Sequence, residues 1–283
     1  GETAQLAQPI AIFGKKAEEY DKKILLKESG SASDEVTPAT QGAAEEKPVV
    51  ADDSSKQNKQ LVANQRLRAS PLAKKIAKEI ETELTNQVSL MSVPPKLSVV
   101  QIGDDPASAS YIKAKANAAS RVGIKLTHHH LSKEININEL EKLVDKLNKT
   151  EDGLIIQLPI PKSLESVLER IKPENDVDGF HSENLGKLVQ GIHGMVPCTP
   201  AGIIELLYRS GNDPEGKHVV VVGRSTIVGT PLSLLLSQKG VDATVTLCHS
   251  RTKSLHEHCK KADILVAAVG KANMITKDML KPG

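Results

Sequence analysis

The sequence predicts an α/β protein of two domains, each a doubly wound, mainly parallel sheet, and three observations carry that expectation. Apolar runs of strand length alternate with amphipathic helical segments from residue 70 onward. The run Val219 to Val222 leads directly into a glycine turn, Gly223 to Gly229, of the kind that joins a parallel strand to a helix. Between the two alternating stretches, Thr199-Pro200 combines a capping hydroxyl with proline at a helix start, and the helix it predicts, running to about Arg209, is placed to connect two domains.

Taken in order, Ser70-Pro71 opens a first helix in which Leu72, Ile76, Ile80 and Leu84 recur every four residues on one face. A strand is predicted over Leu97 to Ile102, then a helix over Ser108 to Val122 closed by Gly123, and a strand over Ile124 to His130. Leu140, Leu143, Val144 and Leu147 mark a helix from about Asn138, and Gly153 to Leu158 is an apolar strand ended by Pro159 and Pro161. A helix follows over Ser163 to Ile171, and the charged, turn-rich stretch Pro173 to Leu185 reads as a loop. The second domain reads as strand Lys217 to Val222, helix Pro231 to Gln238, strand Ala243 to Cys248, helix Ser254 to Lys261 and strand Asp263 to Val269.

Residues 1 to 66 differ from the rest. Between Gly30 and Lys59 the chain is dense in Ser, Asp, Glu, Ala and Lys without apolar periodicity, so a disordered or linker-like extension is expected. Several acids and no Arg before Arg66 argue against a mitochondrial transit peptide, and no signal-peptide core is visible. The first residue is Gly rather than Met, which reads as a processed start. A cytoplasmic location is expected, or an organellar one if a targeting segment was removed.

Composition narrows the functional classes. A 283-residue chain with 39% hydrophobic residues can build packed cores, and its apolar runs are far shorter than the roughly 20 residues that span a bilayer. The net charge of +2, with acids and bases interleaved, lacks the basic stripe of a nucleic-acid binder, and 2% aromatics with no Trp leaves little for base stacking. Cys198, Cys248 and Cys259 have no metal or disulfide spacing, and Cys198 and Cys248, in apolar or turn contexts, read as small buried residues rather than nucleophiles. His128, His129 and His130 alternate faces along a strand without a spaced acidic partner, so a solvated strand end is expected and no metal site.

The cofactor signal is Val-Val-Val-Val-Gly-Arg-Ser-Thr-Ile-Val-Gly-Thr-Pro at 219 to 231, a Rossmann-like phosphate turn with altered spacing. Gly223 permits a tight turn, Gly229 stands at the helix start, and free amides there receive negative charge. An NAD site wants a carboxylate at the end of the next strand, whereas this strand ends Cys248-His249-Ser250-Arg251 and Arg224 adds a cation in the turn, so NADP is the expected cofactor. Tyr111 and Lys115 lie one turn apart on one helix, a spacing that an ordinary surface Lys beside a half-buried Tyr would also satisfy. Gln157 is a polar residue at the C-terminal end of an apolar strand, where parallel sheets bind ligands. Asp176 and Asp178 share a loop in which either could simply form a turn or cap.

Five segments then come together. Tyr-Ile-Lys-Ala-Lys at 111 to 115, Gly-Leu-Ile-Ile-Gln-Leu-Pro-Ile-Pro at 153 to 161, Asp-Val-Asp-Gly-Phe-His at 176 to 181, Pro-Cys-Thr-Pro-Ala-Gly at 197 to 202 and Gly-Arg-Ser-Thr-Ile-Val-Gly-Thr-Pro at 223 to 231 resemble, in order, the signatures of the bifunctional methylenetetrahydrofolate dehydrogenase/cyclohydrolase family. The resemblance covers roughly residues 70 to 283. It implies NADP-dependent oxidation of 5,10-methylenetetrahydrofolate to the methenyl form, hydrolysis of that product to 10-formyltetrahydrofolate, and a homodimer. It implies Lys115 as general acid/base, Tyr111 orienting the folate, Gln157 hydrogen-bonding Lys115, and Asp178 on the pterin. Gly223, Arg224, Ser225, Gly229 and Ser250 fall at the cofactor positions, and the family's NAD-using mitochondrial branch has Arg where this chain has Ser250. The implied domains are a folate-binding catalytic domain over 67–198 and an NADP-binding domain over 199–283.

Two departures from the family pattern accompany the match. The family's next strand, its Pro-Gly-Gly-Val-Gly-Pro segment and its final helix are not in the sequence, so the second domain is expected to be C-terminally incomplete and its sheet to end on an unpaired edge. Asn64-Gln65-Arg66-Leu67-Arg68 replaces the usual Asp-Gly-Lys opening. A truncated pseudoenzyme that binds NADP or a partner without turnover is therefore the alternative expectation. A short-chain dehydrogenase, which also uses Tyr-x-x-x-Lys, is rejected because its glycine turn precedes that pair, whereas Gly223 follows Tyr111.

Overall fold

The computed structural model of the chain describes residues 11–14, 70–271 and 273–282. Two sheets organise them. The first has strands β2 (Lys96–Ile102), β3 (Lys125–Leu131) and β4 (Gly153–Ile156), all parallel, in the order β3-β2-β4. The second has β5 (His218–Val222), β6 (Thr244–Cys248) and β7 (Ile264–Ala267) in parallel, with β1 (Ala11–Gly14) antiparallel on the outer edge of β7. The unpaired edge expected at β7 is thus covered: register pairs such as Ile12 with Val266 give its backbone donors and acceptors a neighbouring strand. The rest of the expected N-terminal extension lies outside the described residues.

Capping chemistry sets the helix bounds. Asp105 accepts the Ser108 amide at 2.7 Å and Pro106 follows it, so α2 (Pro106–Val122) begins two residues before the expected Ser108. It ends at Gly123, whose φ of +85° is open to glycine at little cost. Asn136 caps α3 (Ile137–Thr150) in the same way, through the Glu139 amide. The remaining helices are α1 (Pro71–Ser89), α4 (Ser182–Gln190), α5 (Cys198–Arg209), α6 (Gly229–Ser237) and α7 (Leu255–Lys260).

Three local expectations are corrected. The segment Lys162–Arg170 is a 3-10 helix, which suits two buried residues three apart, Leu164 and Val167, because the 3-10 repeat stacks i on i+3. α4 occupies part of the expected loop: Leu188 is buried, and Asn184 supplies tertiary bonds that local sequence does not announce. Thr199 does not cap α5, which starts one residue earlier and has no side-chain cap.

Each sheet is covered on both faces, as alternation along a buried strand requires. Val100 and Ile102 of β2 pack with Leu140, Val144, Leu154 and Val167, while Val99 faces Ile112 and Ile155 on the other side. In the second sheet Val219 and Val221 meet Ile203, Leu207, Leu232 and Leu236, and Val220 and Val222 meet Cys259 and Met279. Complete burial of such side chains contributes roughly 1.5–3 kcal/mol each. Arg209 of α5 makes a bidentate ion pair at 2.7 Å with Glu83 of α1, and Gln238 donates to the Leu188 carbonyl at the end of α4, so contacts join the two sheet units.

In both sheets the first of the parallel strands, β2 in one and β5 in the other, lies between the next two, so the chain order reverses beside it. Such a reversal opens a crevice beyond the carboxyl ends of the strands, where ligands of parallel sheets bind. Gln157 stands at one of these places and Gly223 at the other.

Candidate active site and nucleotide turn

The first cluster is assembled from four elements. Gln157 follows the last residue of β4; its amide donates to Val100 O at 2.8 Å, which continues the ladder by one bond and fixes the side chain's direction. The side chain is buried and fully engaged: Nε2 donates to Leu158 O at 3.0 Å, and Oε1 accepts from Lys115 Nζ at 3.2 Å. Lys115 is half-buried on α2, with Tyr111 one turn earlier and also half-buried. Burial pushes the Tyr111 phenol above its ordinary value.

Asp178 completes the cluster from the loop before α4. Burial holds its carboxyl above the usual range, the facing Lys115 pulls it back down, and neighbouring Asp176 pushes it further up. Cys198, expected to be buried, is instead exposed at the start of α5. Its thiol donates to Val177 O at 3.1 Å and lies 4.0 Å from Asp178 Oδ1. Crowding by surrounding protein raises the thiol's pKa, and Asp178 adds to the rise, so the group is a weak nucleophile despite its access. The expectation for Cys198 failed because its exposure is set by packing against a loop remote in sequence. Asp176 is buried and turned away from the cluster, bonding to the His181 amide and to Asn184.

The second cluster lies at the carboxyl ends of β5 and β6. Gly223 has φ +118°, and a Cβ there would sit 2.2 Å from Ala268 O; one on Gly229 would sit 1.8 Å from Gly223 O. Both glycines are steric requirements of the turn. The expected donors are redistributed, however. Ser225 Oγ takes the amides of Val228 and Gly229, and Ser225 O takes that of Thr230, so the helix-start amides are used internally. The amides of Arg224, Ser225, Thr226 and Ile227 have no backbone acceptor among the described residues, and free amides in a turn of this kind suit a phosphate. Gly223 N bonds Cys248 O at 2.8 Å, which brings exposed Arg224 beside the β6 end with its exposed Ser250 and Arg251. A tight turn, closed by Thr252 N to His249 O at 2.8 Å, presents those two residues. This arrangement fits a nucleotide with a phosphorylated ribose.

The three histidines go to separate partners: His128 to Gln101 Oε1 and His129 to Ser98 Oγ, both at 3.1 Å, and His130 to Gly103 O and Asp104. Among the described residues no group of three or more His, Cys, Asp or Glu side chains is arranged to hold a metal. An open recess of ≈ 660 Å³ lies elsewhere, lined by Val93, Pro94, Ala116, Ser120 and Ile124 with only Lys96 and Lys125 charged, and it contains no acid/base pair.

Fold and site together define a two-sheet α/β protein with a partly buried Lys115–Gln157 hydrogen bond at the end of one parallel sheet and a glycine turn of Rossmann type at the end of the other. Residues 67–178 match the catalytic domain of tetrahydrofolate dehydrogenase/cyclohydrolase, and residues 197–283 match the NAD(P)-binding domain of the same family. The chain belongs to the tetrahydrofolate dehydrogenase/cyclohydrolase family. It is 48% identical over 217 residues to the bifunctional protein FolD of Brevibacillus brevis, covering 74% of this chain and 76% of that one. For the Bacillus subtilis protein of the same name the identity is 47% over 212 residues, with 74% and 72% covered. Among solved structures, the bifunctional FolD enzyme of Campylobacter jejuni superposes with TM-score 0.69 at 39% identity, over 75% and 76% of the two chains. The Trypanosoma brucei enzyme, solved with NADP cofactor and an inhibitor, gives 0.70 at 34%, over 75% of each.

Proposed function

We propose that this protein oxidises 5,10-methylenetetrahydrofolate with NADP and hydrolyses the resulting methenyl form to 10-formyltetrahydrofolate. The observation that carries the reading is the hydrogen bond from Lys115 Nζ to buried Gln157 Oε1 at the carboxyl end of β4, with Asp178 facing the same lysine. NADP bound at the second sheet supplies a hydride acceptor for the methylene carbon. Its phosphates would be held by the free amides of residues 224–227, and its ribose phosphate by Arg224 and Ser250, within the turn shaped by Gly223, Ser225 and Gly229.

The chain's own chemistry is proton transfer and orientation. Tyr111 packs on the folate and orients it, and Asp178 binds the pterin. Water then attacks the methenyl carbon and loses a proton to Lys115, leaving a neutral hydroxy adduct. As its C–N bond breaks the nitrogen takes a proton back from Lys115, and the hydroxyl proton leaves to solvent as the formyl C=O forms. Gln157 keeps the amine in place through both transfers. Positioning dominates the hydride step, which moves no proton through a side chain.

The domain reading is a catalytic unit over 67–198 and an NADP-binding unit over 199–283, preceded by an extension. The protein acts in the cytoplasm as a homodimer, without nucleic-acid or membrane partners; among the described residues no helix is long and apolar enough to cross a membrane. The test is formation of methenyl-folate with NADP, followed by its hydrolysis. Binding of NADP without turnover would instead favour the pseudoenzyme.

A further inference from the structure

We propose that Asp176 is a positioning residue for the folate site: it ties the turn carrying Asp178 to α4 and places a second negative charge behind it. The inference rests on the proposed folate reading for its consequence, but its geometry stands alone.

Asp176 is buried and is held through its amide, its carbonyl and its carboxylate. Its amide donates to Lys172 O at 3.1 Å, and its carbonyl accepts the Gly179 amide at 3.1 Å, closing a four-residue turn around Asp178. Its Oδ2 accepts twice, from the His181 amide at 2.8 Å and from Asn184 Nδ2 at 3.0 Å. Asn184 is 2% exposed, and its amide also donates to Pro173 O, so one side chain of α4 grips both ends of the loop. A parallel bridge to Leu154 joins the same residue to β4, the strand that ends just before Gln157.

The turn is also held from the far side. Gly179 has φ +66°, and a Cβ on it would sit 2.6 Å from Pro197 N, so the turn lies flat against the backbone entering α5. The Cys198 thiol meets Val177 O there. Asp178 is therefore the one acid of the loop left facing the cluster, with Lys115 opposite on α2, Cys198 on α5 and Asp176 behind it. A buried carboxylate taking two hydrogen bonds is costly to disturb, because losing one partner leaves the other uncompensated. Holding Asp178 within its working geometry is a use that matches such a cost.

Two variants separate the tether from the charge. Asn184→Ala keeps both carboxylates and removes the grip; Asp176→Asn keeps an acceptor at Oδ1 and removes the charge. For Asn184→Ala the expectation is a folate Kd raised tenfold or more with NADP Kd unchanged, and a folate change below threefold overturns the positioning role. For Asp176→Asn, carboxyl-carbon NMR of Asp178, assigned with Asp178→Asn, should show its titration midpoint moved to lower pH, because a like charge that disfavoured ionisation is gone. An unchanged midpoint in a folded variant overturns the electrostatic half. If the parent protein binds no folate, the folate reading fails by itself, and the Asp178 titration still decides this inference.

Discussion

Replacing Lys115 by Met tests the proton-transfer assignment most directly. Methionine keeps much of the apolar stem on α2 and removes the Nζ that sits 3.2 Å from Gln157 Oε1. No other amine or imidazole is hydrogen-bonded into this cluster among the described residues. A positioned general acid/base contributes about 10²- to 10⁴-fold, which is roughly 3 to 5 kcal/mol of transition-state free energy. Hydrolysis of supplied methenyl-folate should fall by about that factor, followed as loss of the substrate's own absorbance, while part of the dehydrogenase activity survives. The Gln157→Ala variant should lose about tenfold, since a side-chain hydrogen bond of this kind is worth roughly 0.5–1.5 kcal/mol and about 1.4 kcal/mol is tenfold in rate. Because Gln157 acts through Lys115, the double variant should be no slower than Lys115→Met alone. Hydrolysis at the parent rate in Lys115→Met, or additive losses in the double variant, would refute the reasoning.

Other outcomes follow from the same geometry. NADP should bind more tightly than NAD by about 1 to 3 kcal/mol, and Arg224→Ala should erase most of that difference in parallel titrations; a retained preference would move the phosphate contact elsewhere. Gly223→Ala places a methyl 2.2 Å from Ala268 O at φ +118°, so the thermal midpoint should drop by the equivalent of at least about 1 to 3 kcal/mol and NADP affinity should fall with it. Asp178 has a carboxyl held above its ordinary value, so the folded protein binds that proton more tightly than the unfolded chain, and stability falls as pH rises from near 4 through the raised value. Asp178→Asn should therefore raise the thermal midpoint at pH 7, lose the gain near pH 3, and weaken folate binding. A midpoint difference that does not depend on pH would show that the carboxyl is not strained by burial.

How much of this was readable before any coordinates depended on the range of the interaction. Strand and helix alternation, the Asp178 loop, the Lys115 helix and the glycine turn rest on local spacing, on proline and glycine backbone limits, and on apolar period, all of which operate within a few residues. The pairing of Lys115 with Gln157 came from the family resemblance, and the structure places the two within hydrogen-bond reach although they are 42 residues apart. Helix α4 was hidden because Gly186 interrupts its apolar pattern and its hold comes from Asn184 reaching back across the loop. The unequal fates of Asp176 and Asp178 were equally hidden: two residues apart in one motif, either could form a turn or bind a ligand. Tertiary contacts decided that Asp176 faces α4 and Asp178 faces Lys115, that Cys198 is reachable, and that Ser225 uses the helix-start amides while those of residues 224–227 have no backbone acceptor among the described residues. Each of these turns on which donor meets which acceptor once remote segments pack, and no periodicity along the chain encodes that choice.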